Sequence, residues 1–100
     1  VIKHIVFWKL HDEALGRPAA ENAALMKSKL EALAGIVPGL LHIEVGIDIS
    51  ETDASADVAL YSEFDDLASL QAYQAHPEHV AAGQFINDVR ASRTVVDYEV

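Results

Sequence analysis

Histidine is the side chain with which this sequence could most readily do chemistry. It holds five, and it holds no cysteine. An imidazole can move a proton near neutral pH or bind a metal. A thiolate nucleophile, a cysteine-based metal site and a disulfide framework are excluded. Two of the histidines fall in one short segment, AYQAHPEHV (residues 72–80), with Tyr73 just ahead of them. His76 and His79 are three apart, a spacing that can put two ligands on one helix face. However, His76 precedes Pro77, which steers its backbone away from the helical region, and Glu78 is the one obvious carboxylate nearby. No metal site is therefore expected, and His76 is better placed to cap a helix that opens at Pro77. A third histidine, His4, sits in the apolar run IKHIVFWKL (residues 2–10). His11 and His42 read as surface positions. There is no glycine-rich phosphate loop, and no local motif suggests a Ser-His-Asp arrangement.

The elements that must position these groups follow a clear order. Residues 2–10 are β-branched and aromatic, the composition of a strand. Residues 11–18, with Gly16 and Pro18, read as a loop. Ala23, Met26, Leu30 and Leu33 recur at helical spacing, so a helix is expected from about Ala19 to Ala34, stopped by Gly35. After the Pro38-Gly39 turn, residues 40–49 alternate, with Leu41, Ile43, Val45, Ile47 and Ile49 on one face. Glu44 and Asp48 stand opposite, toward the helix side or the sheet end, where salt bridges with Lys or Arg are expected. Residues 50–55 form a polar connection, and residues 57–64 a third strand. Asp65 or Asp66 caps the next helix, whose stripe is Leu67, Leu70 and Tyr73. A further helix is expected from Pro77 to about Ala91, and a last strand over residues 95–100. The order β-α-β-β-α-β, with its second helical unit split, predicts an α+β, ferredoxin-like fold: a four-stranded antiparallel sheet with helices on one face.

Composition narrows the function. A chain of 100 residues with half of them hydrophobic predicts one domain over residues 1–100. Seven Lys and Arg are scattered against sixteen Asp and Glu, for a net charge of −9. Such a chain has no basic patch for nucleic acid or for an anionic membrane. The N-terminal apolar run is too short to span a membrane and lacks a small-residue cleavage site, so the expected address is the cytoplasm. The start at Val1 suggests that an initiator methionine has been removed or left out.

The first strand also predicts a partner. Ile2, His4, Val6, Trp8 and Leu10 form one face, and Lys3, Ile5, Phe7 and Lys9 the other. Both are apolar at the centre, and the helices can cover only one. The other would be a larger apolar patch than a monomer ordinarily exposes. Packing against a second copy would bury it, at about 1.5–3 kcal/mol per large side chain, so a homodimer is expected.

IKHIVFWKL, the Pro-Gly turn, YSEF, AYQAHPEHV and the closing VVDYEV together resemble the stress-responsive α/β-barrel (Dabb) domain family, along the whole chain. Lys3-His4 and the segment from Tyr73 to His79 are the most specific pieces. The resemblance implies a dimeric α+β barrel in which two sheets pack across a two-fold axis. A plant cyclase of that family closes a polyketide-derived acyl chain by an intramolecular aldol-type condensation, with no metal or organic cofactor. Its functional residues are a first-strand His, a Tyr in the second helical unit and a His six residues later. His4, Tyr73 and His79 match those positions.

By that resemblance the three would converge on a small cavity between sheet and helices. His79 would act as general base, Tyr73 would hold an oxyanion, and His4 would polarise a carbonyl or orient the substrate. Trp8 and Phe85 would wall the apolar end. The expected activity is a cofactor-free cyclase, lyase or isomerase step on a small hydrophobic carbonyl compound. A ligand-binding or stress-protective homodimer without catalysis is the alternative, and a cofactor-free oxygenase or haem-handling protein ranks last. A purely structural role would need the triad packed solid and bonded to one another.

Overall fold

The computed structural model describes residues 1–100. Strand β1 (Ile2–Leu10) is followed by two short strands, β2 (Glu13–Ala14) and β3 (Arg17–Pro18), then helix α1 (Ala19–Glu31). Strands β4 (Leu40–Ile47) and β5 (Val58–Phe64) lead to helices α2 (Leu67–Ala75) and α3 (Pro77–Val89), and the chain closes with β6 (Arg90–Glu99). The main sheet is antiparallel, in the order β4-β5-β1-β6. This is the ferredoxin-like α+β arrangement that the element order implies.

Period-two burial along β1 and β5 tells where the core lies. Ile2, His4, Val6, Trp8 and Leu10 are buried, as are Val58, Leu60, Ser62 and Phe64. Paired strands share faces, so these nine residues form one side of the sheet. Against them pack Met26 and Leu30 of α1, Leu70 and Tyr73 of α2, and Ile86 and Val89 of α3.

Several boundaries differ from those the sequence implies, each for a local reason. Residues 11–18 hold a β2–β3 hairpin rather than a loop. Its two-residue turn, Leu15-Gly16, has positive φ at both positions, the form that matches strand twist. The buried Asn22 amide ties the hairpin to α1 by donating to the Ala14 carbonyl at 3.0 Å and the Arg17 carbonyl at 3.3 Å. Helix α1 ends earlier than expected, at Glu31, and tight turns carry the chain on to Gly35 at φ +77°. Asp66, not Asp65, caps α2, accepting from the Ser69 amide at 2.8 Å. Strand β6 starts five residues before the expected Val95. Its ladder to β1 runs from Leu10↔Arg90 to Ile2↔Glu99, and that pairing overrides the weak helical preference of residues 90–94.

Strand β4 is the main correction. The pairing register shifts between Leu40 and His42, so Leu40 rather than Leu41 stands opposite Phe64. Leu41 is exposed, and Ile47 and Ile49 run past the helical cover. Val45 alone of that stripe is buried, opposite Leu60. Its backbone lies on the sheet's outer edge and is capped from α1: its amide donates to Glu31 at 3.1 Å, and Lys27 donates to its carbonyl. Glu44 belongs to the open face, opposite Tyr61, and accepts from His42 at 3.0 Å. Asp48 lies at the sheet end, where its carboxylate accepts from the Glu51 amide at 2.7 Å. Neither carboxylate makes the Lys or Arg bridge that its position implied.

The open face of the sheet is apolar at its centre, as β1 predicts, but the other contributors are β5 and β6. Ile5 and Phe7 are joined there by Ala59, Tyr61, Val96 and Tyr98, while β4 supplies His42, Glu44 and Gly46. Phe7 is 43% exposed and Val96 50%.

Candidate functional site

His4 enters the site as a mid-strand residue of β1 on the helix-facing side. Its cross-strand neighbours are Ser62 on β5 and Asp97 on β6. The Ser62 hydroxyl donates to the His4 carbonyl at 2.9 Å. The His4 ring is bound through Nδ1 to the Asp97 carboxylate. The imidazole is buried, whereas the Asp97 side chain is 38% exposed, so the carboxylate keeps part of its hydration. In the neutral form of the ring, with Nδ1–H donated to Asp97, Nε2 carries the lone pair. No protein group bonds Nε2, and His4 forms part of a cavity wall.

Tyr73 and His79 come from the two helices that Pro77 separates. His76 is extended, and its Nδ1 accepts from the Glu78 amide at 3.1 Å, so it caps α3. That cap and Pro77 set the direction of α3, and His79 falls in its first turn. The Tyr73 ring lies 4.4 Å from the His79 ring and 6.3 Å from the His4 ring, centre to centre, with Phe64 at 4.9 Å. The three residues are thus brought together, yet none hydrogen-bonds another. His79 Nδ1 donates to the Gln74 carbonyl at 3.2 Å, leaving its Nε2 as a lone pair. Burial pushes the His79 pKa below its ordinary value of 6.5, and the Gln74 bond opposes this only in part. His79 is therefore neutral at pH 7.

The Tyr73 hydroxyl is fully buried and meets no protein partner. Burial pushes the phenol well above the ordinary tyrosine range, against the pull of the Arg93 charge, so it stays protonated and able to donate. Buried polar groups nearly always have a partner, and an unpaired hydroxyl is an unusual feature in the centre of a small core.

A cavity of about 190 Å³ opens beside these rings. Its wall combines His4, His79 and Trp8 with Val6, Leu30, Leu60 and Ile86, and with Asn87 and Arg93. Trp8 thus lies where the sequence reading put it. Phe85 does not: it is half-buried outside this wall, with the Lys29 ammonium 5.1 Å above its ring. Tyr73 also stands behind the wall rather than in it. A larger hollow of about 350 Å³ lies elsewhere, at the end of the open sheet face, among Phe7, Ile47, Ile49 and Ala59. It holds no histidine, tyrosine or cation, and the hollows beside Lys29 and Glu78 and beside Lys9 and Asp53 hold no histidine either, whereas two histidines line the smaller cavity.

Asp97, Arg93 and Asn87 were not singled out from sequence. Asp97 reads as a solvent residue in VVDYEV until β6 is paired with β1 in a definite register. The one available signal was alternation, which puts Arg93, Val95 and Asp97 on a common face.

Fold and site together define a ferredoxin-like α+β domain with a histidine-lined cavity under its helices. The chain belongs to the Stress Responsive A/B Barrel Domain family, Dabb, whose model matches residues 2–100. An uncharacterised protein of Streptomyces coelicolor is 31% identical over 99% of each chain. A dimeric protein of ferredoxin-like fold and unknown function from Bacteroides fragilis is 40% identical, with 99% of this chain and 95% of that one covered and a TM-score of 0.83. The hydroxynitrile lyase of Passiflora edulis, 16% identical with 99% and 92% covered and a TM-score of 0.78, shares the fold.

Proposed function

We propose that this protein is a cofactor-free acid–base catalyst acting on a small, largely apolar carbonyl compound, and that it works as a homodimer. The observation that carries the reading is the His4–Asp97 pair. A buried imidazole is fixed through one nitrogen, and its other nitrogen has no protein partner, beside a cavity lined by both apolar and polar side chains. His4 Nε2 takes a proton from the carbon next to the carbonyl, and the C–H electron pair moves onto the carbonyl oxygen as an enolate. Asp97 holds the ring in the productive tautomer and stabilises the imidazolium that forms, as the carboxylate of a Ser-His-Asp triad does. Tyr73 is a protonated donor beside both rings but stands behind the cavity wall, so a part in steadying the developing oxyanion is what Tyr73→Phe tests. The His4 imidazolium returns the proton it took, and His79, a second neutral imidazole, can accept a proton at Nε2 but has none there to give. These roles exchange those that sequence alone favoured, because His4, not His79, has the carboxylate partner.

Cyclisation, isomerisation and lyase steps share this proton transfer, so it is the step to test. Wild-type protein in D₂O is expected to exchange the α-protons of 4-methyl-2-pentanone or 3-methylbutanal faster than buffer, read by NMR. His4→Gln should slow this by about 10²-fold or more. Exchange at the buffer rate with both compounds, or an undiminished rate in a folded His4→Gln protein, would overturn the catalytic reading.

The dimer rests on the open sheet face. Ile5, Phe7, Ala59, Tyr61, Val96 and Tyr98 form a continuous apolar centre there, and the hollow around Ile49 extends it at one end. Ile49 is 94% exposed in the single chain. Sheet-to-sheet packing would bury this surface, and the Bacteroides fragilis relative is itself dimeric.

A further inference from the structure

We infer that the ligand of the helix-side cavity carries a carboxylate, seated by the Arg93 guanidinium and the indole N–H of Trp8. This rests on the proposal above that the cavity is a ligand site, and narrows its substrate class to small carbonyl acids with an aliphatic body.

The first observation is an unpaired donor. Trp8 is 4% exposed, it lines the cavity, and its Nε1–H meets no protein acceptor. A buried indole N–H ordinarily finds one. The second is an unpaired cation. Arg93 stands directly across from Trp8 in the β1–β6 pairing, on the same sheet face and in the same cavity wall. Of the three arginines, Arg17 bonds Asn22 and Arg90 bonds Asn87. Arg93 is exposed to solvent and makes neither a hydrogen bond nor a salt bridge to protein, in a chain with sixteen carboxylate side chains. None of the sixteen lines the cavity. The Arg93 charge is also felt at both Tyr73 and His79, which places it within electrostatic reach of the whole site.

A cluster of donors with no anion of its own is built to receive one. The Asn87 amide adds to it, because Arg90 occupies Oδ1 and leaves the Nδ2 hydrogens free. A guanidinium and an indole N–H match a carboxylate, whose oxygens accept several charge-assisted bonds. The rest of the ligand would lie on Val6, Leu30, Leu60 and Ile86, with its reacting carbon toward His4. At about 30 Å³ per water, the cavity of about 190 Å³ has the volume of roughly six waters, so it takes only a small ligand.

Trp8 is the chain's one tryptophan, so its fluorescence reports occupancy directly. The test titrates the full-length protein at pH 7 with 4-methylpentanoate and with 4-methylpentanamide, a matched acid and amide. The acid is expected to bind at least tenfold more tightly. Arg93→Gln should erase that preference by weakening the acid far more than the amide, and Trp8→Phe, followed by NMR, should weaken the acid severalfold. Equal binding of acid and amide, or an acid preference that survives Arg93→Gln, would overturn the carboxylate seat and leave the cavity a ligand site. Binding of neither compound, by fluorescence or by NMR, would overturn the cavity reading itself, and the seat with it.

Discussion

Replacing Tyr73 by phenylalanine should make this protein more stable. Tyr73 is completely buried among Phe64, His4 and His79, and its hydroxyl has no protein partner. Removing the oxygen keeps the ring and its packing. What disappears is the cost of burying a hydroxyl without a hydrogen bond, about 1–3 kcal/mol by comparison with other proteins. Taking the low end, a gain of about 1 kcal/mol raises the melting temperature of a 100-residue domain by roughly 4–8 °C. The comparison variant is Tyr73→Ala, which empties a ring-sized space and should cost about 3–5 kcal/mol. Urea and thermal unfolding at one fixed protein concentration measure both, since association shifts apparent stability. If Tyr73 donates to an oxyanion, α-proton exchange falls in the more stable Phe variant, so stability and activity move in opposite directions. A Phe variant that is less stable by 1 kcal/mol or more would refute the reasoning, because the hydroxyl would then have a partner that holds the fold. A more stable variant with undiminished exchange would keep the packing argument and remove Tyr73 from the chemistry.

Three further outcomes are expected. Asp97→Asn keeps the shape of the β6 side chain but removes the charge that orients His4; it should cost about 1–2 kcal/mol of stability, discounted for the partial exposure of Asp97, and slow α-proton exchange at least tenfold at pH 7. His79 binds a proton less readily folded than unfolded, so the unfolded state takes up more protons as pH falls; stability should be fully present above pH 6.5 and decline as pH drops below it, and His79→Gln should flatten that decline in urea titrations across pH 5–8. The pair Phe7→Lys with Val96→Lys puts two charges on the open sheet face, where both side chains are solvent-accessible in the single chain; light scattering should fall from the dimer mass to the monomer mass with the circular dichroism retained, and an unchanged mass would place the interface elsewhere.

Much of the architecture was legible in residue patterns. The alternation of β1 and β5 and the 3–4 spacing of Ala23, Met26 and Leu30 define the layers, because burial of one face is a local, periodic requirement. His76 as a cap before Pro77 was legible for the same reason: it depends on two adjacent residues. Both-sided apolarity in β1 likewise marked the open face. Along β4 the same logic held for Ile43, Val45 and Ile47, which share the face of Ser62, Leu60 and Val58, and failed at Leu41, where the register shift between Leu40 and His42 breaks the period.

The site shows the same division. His4, Tyr73 and His79 could be singled out by type and spacing, but not the state in which each is held. That His4 is bonded to Asp97, ninety-three residues away, depends on the β1–β6 register. The same register sets Arg93 beside Trp8, and the packing of Phe85 against Lys29 rather than into the cavity depends on how α3 lies on α1. The sequence by itself determined which groups are available and which face of each element they occupy, since both are local properties of a chain with fixed helical and strand periods. Only the tertiary structure decided which of those groups meet, because pairing across the sheet and docking of helices are set by the whole core and not by any one segment.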